Sequence, residues 1–153
     1  MAVWNAVPGR APTGTATAGR RPMLTDVLVV GAAIVQGGRL LAAQRAEPPE
    51  LAGGWEFPGG KVDPGEHEVD ALVRECEEEL GVVVRPGHRV GGDWPLGSGY
   101  IMRVWLAEIV TGVPEPREHL ELRWLSADEL YGVPWLPADL PIVRAVEDFL
   151  REG

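Results

Sequence analysis

GKVDPGEHEVDALVRECEEELGV, residues 60–82, runs from a glycine loop into one helix that carries a band of carboxylates. On a helix of about 3.6 residues per turn, positions three and four apart are neighbours. Glu75, Glu78 and Glu79 therefore share one arc. Val69, Leu72, Val73, Cys76 and Leu80 share the adjoining arc, with the spacing of a buried stripe. Two like charges about 4 Å apart repel by roughly 1 kcal/mol in water and about 4 kcal/mol near a protein surface. A fold keeps such a cluster in one of two ways. The acids point into solvent, softened by Arg74 pairing with Glu78 at i,i+4, or a cation sits among them. Hard divalent cations take oxygen ligands, and magnesium takes one or two carboxylates plus substrate phosphates.

The stretch resembles, position for position, the Nudix box: G, five residues, E, seven residues, then R-E-U-x-E-E-x-G-U with U bulky and apolar. The matching residues are Gly60, Glu66, Arg74, Glu75, Cys76, Glu78, Glu79, Gly81 and Val82. Cys76 is smaller than the usual aliphatic, and a buried free cysteine behaves as a small hydrophobe. The flanking WEFPGGKV, residues 55–62, resembles the MutT-like branch of the Nudix hydrolases, which hydrolyses nucleoside triphosphates. The likeness covers residues 27–150 and implies an α/β (α+β) fold, the Nudix α/β/α sandwich with a mixed β-sheet between helices. It also implies roles. The carbonyl of Gly60 and the side chains of Glu75, Glu78 and Glu79 would hold magnesium, with manganese as the alternative. Glu75 and Glu78, with Arg74 orienting a glutamate and Glu118 as a further loop acid, would serve catalysis, with His119 as the neighbour and competitor of Glu118. Glu66 either touches the metal through water or sits in the helix's first turn, where the dipole favours an acid. Arg45, Glu56, Phe57, Pro58, Gly59 and Asp139 would bind substrate; for Arg45 the plain alternative is a surface salt bridge.

Asp139 follows Pro137-Ala138, where relatives that read an oxidised guanine carry Asn. An ionised carboxylate only accepts hydrogen bonds, which suits the exocyclic amino donor of cytosine. Relatives with P-A-D at this place resemble CTP or dCTP pyrophosphohydrolases, some preferring 5-modified cytosine. The structural alternative is that Asp139 caps the last helix. Phe57, Tyr100 and Trp135 could stack on a base or belong to the core.

The rest of the chain bounds the answer. Its 153 residues suffice for one domain with a real core. A net charge of -9 argues against binding a nucleic acid polymer, which wants a basic stripe. It leaves room for a small anionic substrate bridged by metal. A single cysteine excludes an internal disulfide and fits a cytoplasmic protein. No apolar run reaches membrane-spanning length, and the expected assembly is a monomer or homodimer. Residues 1–24 read as a disordered tail and residues 25–153 as the domain, because the tail lacks an apolar signal core.

Strands are expected at residues 26–35 and 40–44, joined by a Gly37-Gly38 turn, at 55–57, 82–85, 89–90, 100–109 and 120–125. Pro58-Gly59-Gly60 reads as a turn. Helices are expected at 66–80 with Gly81 as the stop, after the capping-box spacing of Ser126 and Glu129, and at 139–152. His67, His88 and His119 lack zinc-ligand spacing, and Gly59-Gly60-Lys61-Val62 is not a P-loop. The expected activity is magnesium-dependent conversion of a nucleoside triphosphate to monophosphate and pyrophosphate, with CTP, dCTP or a 5-substituted cytidine triphosphate as substrate, in nucleotide-pool sanitation. The alternatives are an 8-oxo-dGTP diphosphatase and a non-catalytic Nudix-fold module that binds a nucleotide.

Overall fold

The computed structural model describes residues 26–152. The tail expected at residues 1–24 lies outside the described residues. β1 (Val27–Gln36) and β2 (Arg39–Arg45) form the expected hairpin, with Val35 opposite Leu40. The long apolar run of β1 reflects burial on both faces. Successive side chains point opposite ways, so Val29 and Ala33 enter one core while Val30, Ala32 and Ile34 enter the other. β7 (Tyr100–Thr111) lies parallel to β1, from Val27 opposite Tyr100 to Ile34 opposite Ala107. The remaining strands are β3 (Trp55–Glu56), β4 (Gly59–Lys61), β5 (Val83–Arg89), β6 (Trp94–Gly97) and β8 (His119–Leu125), and each of their strand pairings is antiparallel. The mixed sheet runs β3-β2-β1-β7-β5, with β4 on β1, β6 on β7 and β8 on β2.

One helix covers each face. α1 (Glu68–Leu80) buries Ala71, Leu72, Cys76 and Leu80 in the core that also holds Val30, Ile34, Trp105 and Ala107. α2 (Leu140–Glu152) buries Ile142, Val143, Val146 and Leu150 in the core of Val29, Ala33, Leu40 and Val104. Each such leucine or isoleucine contributes about 2 kcal/mol by leaving water. The result is the α/β/α sandwich expected from the sequence.

Several local expectations are corrected. Residues 59–61 are strand β4 rather than a turn, hydrogen-bonded along Val29, Val30 and Gly31 of β1. Only glycine allows that approach, since a Cβ on Gly59 would stand 1.9 Å from the Val30 carbonyl oxygen. β6 has no counterpart among the expected strands; it carries Pro95 and Gly97, and among the described residues it pairs with β7 alone, an edge position where proline is tolerated. The two pieces expected around residues 82–90 are one strand with a register shift between Pro86 and Arg89. α1 starts at Glu68, after the His67 N-cap, so Glu66 precedes the first turn. The Ser126–Glu129 capping box is present, but it opens a 3-10 helix, Ala127–Gly132. Asp139 ends a 3-10 turn, Pro137–Asp139, ahead of α2.

Candidate active site

The pairing of β4 with β1 lays Gly59 and Gly60 beneath α1. A Cβ on Gly60 would stand 2.4 Å from Oε2 of Glu75, so the carboxylate rests directly on the glycine. The backbone N–H of Gly59 donates to Oε1 of Glu79 at 3.3 Å. Glu75 and Glu79 are each 0% exposed, whereas the side chain of Glu78 is 47% exposed. The arc of acids seen in the sequence is therefore split: two carboxylates turn inward over the glycines and one faces solvent.

Arg74 holds the group together. Its guanidinium donates to Glu66 at 2.8 and 2.9 Å, to Glu75 at 3.2 Å, to Glu78 at 3.2 Å and to the Lys61 carbonyl at 3.2 Å. Glu66 also accepts from the backbone N–H of Asp63 at 3.0 Å. Glu66 lies outside the helix, so the first-turn reading is corrected, and its carboxylate clamps Arg74. That hydrogen bond holds the Glu66 carboxyl down at about 2.

Burial acts the other way inside. Desolvation pushes Glu75 up to about 7, against the pull of Arg74 and with the push of Glu78 and Glu118. Glu79 is raised well above the usual carboxylate range by burial first, then by Glu75, Glu56 and Glu118. Glu118 lies near enough for its charge to act on both carboxylates. Cys76 lies on the apolar face, where burial raises its thiol far above the ordinary range.

The divalent metal that the resemblance implies fits these residues. Oε1 of Glu75 and Oε2 of Glu79 are buried and have no hydrogen-bond partner. An ionised oxygen so placed is costly unless a proton or a cation satisfies it. Among the described residues no three acidic, histidine or cysteine side chains already form a ready-made set of metal ligands. Carboxylates without a counter-charge repel one another, and Arg74 holds one edge of Glu75. The donor set is hard oxygen, as magnesium requires.

A second polar cluster lies beside the first. Arg45 on β2, Glu56 on β3 and His119 on β8 meet because β2 pairs with both neighbours, Ala43 opposite Glu56 and Arg45 opposite His119. Arg45 and Glu56 are each 1% exposed and share an ion pair at 3.0 Å, so a surface salt bridge is excluded for Arg45. Arg45 also donates to the Glu47 carbonyl at 3.0 Å. Nε2 of His119 and Oε2 of Glu56 lie 2.9 Å apart. The sequence reading set His119 beside Glu118 as its competitor and missed its place under Glu56. The visible signal was its phase: it heads the strand whose next residue, Leu120, faces out.

Asp139 joins this cluster. It is fully buried, and neither carboxylate oxygen has a hydrogen-bond partner, so it does not cap α2. Burial and the neighbouring Glu56 raise its pKa well above the usual range, against the pull of Arg45. Burial therefore works against the ionised form in which the sequence reading cast Asp139. Phe57 is fully buried and packs on Trp135, with ring centroids 5.4 Å apart, and the Pro58 carbonyl accepts from Ala32 at 2.9 Å. Tyr100 instead lies under the Lys61 ammonium. A cavity of about 530 Å³ lies elsewhere, between β5, β7 and the end of α2. It is lined by Arg85, His88, Leu106 and Phe149 and touches none of these acids.

The chain is similar to known proteins. The NUDIX domain model matches residues 25–146. A Mycobacterium tuberculosis protein provisionally named 8-oxo-dGTP diphosphatase 2 is 48% identical over 120 residues, covering 76% of this chain and 84% of the relative. The CTP pyrophosphohydrolase of Escherichia coli is 40% identical over 119 residues, covering 76% and 88%. Among solved structures, that of the E. coli ORF135 protein aligns with a TM-score of 0.69 at 37% identity, covering 82% of this chain and 91% of that one. The MutT NUDIX hydrolase from Burkholderia pseudomallei aligns with a TM-score of 0.69 at 36% identity, covering 79% and 98%. With the glycine-loop helix, its inward glutamates and these matches in hand, the chain belongs to the Nudix hydrolase family.

Proposed function

We propose that this protein hydrolyses a nucleoside triphosphate to the monophosphate and pyrophosphate, with magnesium as the metal and manganese as the alternative. The observation that carries the reading is the pair Glu75 and Glu79, buried over Gly60 with an unsatisfied oxygen on each. These carboxylates and the Gly60 carbonyl would hold the ion. When bound, it would neutralise charge on phosphoryl oxygens and lower the pKa of a water. The protein's own groups do the rest. Arg74 fixes Glu75 and Glu78 through one guanidinium. Glu78, which faces solvent, and Glu118, whose charge acts on Glu75, would be the carboxylates that take the proton of the attacking water. No protein nucleophile is required.

For the base, the proposal is a cytidine triphosphate: CTP, dCTP or a 5-substituted form. In its protonated form, toward which burial pushes it, Asp139 would present one donor and one acceptor. Cytosine offers a complementary amino donor beside a ring-nitrogen acceptor, and the 40% identical relative is named for CTP. A second reading, 8-oxo-dGTP, is favoured by the name of the 48% identical relative. A protonated acid can also donate to a purine carbonyl and accept from its ring N–H. The third alternative, a non-catalytic binding module, is disfavoured by the intact Glu75, Glu78 and Glu79. A cytoplasmic, pool-cleansing role accords with the one buried free thiol. Among the described residues no helix is long and apolar enough to cross a membrane. The test is pyrophosphate release with magnesium from CTP, dCTP, 5-methyl-dCTP, dGTP and 8-oxo-dGTP. Turnover with a cytidine nucleotide leading is expected. No turnover of any triphosphate removes the proposal, and a lead for 8-oxo-dGTP transfers it to the second reading.

A further inference from the structure

A helix leaves its last four carbonyls without intrahelical partners and carries partial negative charge at that end. α1 has no basic residue in its last turn, and two of its acids, Glu75 and Glu79, are buried near that end. The loop before β8 supplies what the helix lacks. The backbone N–H of Glu115 donates to the Leu80 carbonyl at 2.9 Å. The backbone N–H of Arg117 is shared between the Glu79 carbonyl at 3.3 Å and the Glu115 carbonyl at 2.9 Å. The guanidinium of Arg117 reaches the Glu77 carbonyl at 3.2 Å, which also accepts from the backbone N–H of Gly81 at 3.0 Å. Gly81 adopts the left-handed conformation with φ 73°, and a Cβ there would stand 2.5 Å from the Arg117 guanidinium. The box glycine therefore both turns the chain and leaves room for a cation across the helix end.

The residue after Arg117 is Glu118, whose charge is felt at both Glu75 and Glu79. We propose that Arg117 is a positioning residue. It latches the 115–117 segment onto the C-terminal end of α1 and thereby holds Glu118 at a fixed distance from the Glu75–Glu79 pair. The proposal rests on Glu118 being a working carboxylate of the site proposed above. Arg117 acts through backbone carbonyls and touches none of the site's carboxylates in this arrangement. Its partial exposure and its weak pairing with Glu115, at 4.0 Å, leave the guanidinium committed mainly to the helix end.

The test combines Arg117→Ala, Arg117→Lys, Glu118→Gln and the double variant Arg117→Ala/Glu118→Gln. Steady-state kinetics with dCTP and magnesium are read beside amide hydrogen exchange at Glu115 and Arg117. Arg117→Ala is expected to lower kcat about tenfold with KM within about twofold, because misplacement costs the chemical step. Arg117→Lys should recover part of the loss, since an ammonium can still reach a carbonyl. The double variant should be no slower than Glu118→Gln alone, the mark of two residues acting as one unit. Amide exchange at Glu115 and Arg117 should quicken at least about tenfold in Arg117→Ala. An undiminished kcat in Arg117→Ala beside a slow Glu118→Gln overturns the proposal, and so does full additivity in the double variant. If Glu118→Gln itself is undiminished, or no triphosphate is turned over, the role of Glu118 falls. Exchange then decides the latch alone: faster exchange in Arg117→Ala retains it, and unchanged exchange ends it.

Discussion

Raising the pH of the metal-free protein should destabilise it in the window set by Glu75, from its ordinary 4.5 to about 7 in the fold. Within that window the folded chain keeps a proton that the unfolded chain has released. Stability therefore falls as pH rises, and it is whole again below the unfolded value. At about 1.4 kcal/mol per pH unit, the rise on Glu75 corresponds to roughly 3 kcal/mol. Glu79 and Asp139, also raised by burial, act in the same direction. Glu66 and Asp93 are lowered by arginine partners, so their contribution is present above the ordinary carboxylate range and is lost only as pH falls further. At about 3 °C per kcal/mol for a domain of this size, the Glu75 share alone should lower the melting temperature in EDTA by roughly 10 °C between about pH 5 and about pH 8. The assay is thermal unfolding by circular dichroism, in EDTA and in magnesium chloride, for the wild type and Glu75→Gln. Glu75→Gln should remove the Glu75 share of the slope and leave that of Glu79 and Asp139. Magnesium should restore the high-pH melting temperature, because an ion bound only by the folded chain stabilises it by mass action. A melting temperature that holds or climbs through the window in EDTA refutes the reasoning, as does an unchanged slope in Glu75→Gln.

Other substitutions test the remaining geometry. Gly60→Ala drives a Cβ into Glu75 and should cut kcat/KM at least about 100-fold, read by pyrophosphate release. Arg45→Ala leaves Glu56 buried without its ion pair and should cost about 3–5 kcal/mol in urea unfolding; a loss under about 1 kcal/mol would place that pair in water. Asp139→Asn should shift the dCTP to 8-oxo-dGTP ratio of kcat/KM by at least about tenfold, and an equal fall for both substrates would make Asp139 structural.

Residues 60–82 alone determined much of this protein. Helical periodicity separates the Leu72–Cys76–Leu80 stripe from the acids, and Gly81 marks the stop, because both depend only on neighbours within a turn or two. The same locality made β1, β2, β7 and the Ser126–Glu129 capping box legible. What the tertiary structure decided is which side of each local pattern meets water. On a helical wheel Glu79 and Glu75 lie nearer the apolar stripe and Glu78 lies opposite it, and the docking of β4 beneath α1 is what buries the first two. The meeting of Arg45, Glu56, His119 and Asp139 needs three strands and the turn before α2, so no window of sequence contains it. Ionisation follows burial: the same Asp139 that reads as an ionised acceptor in sequence has its pKa raised well above the usual range once the fold removes its water.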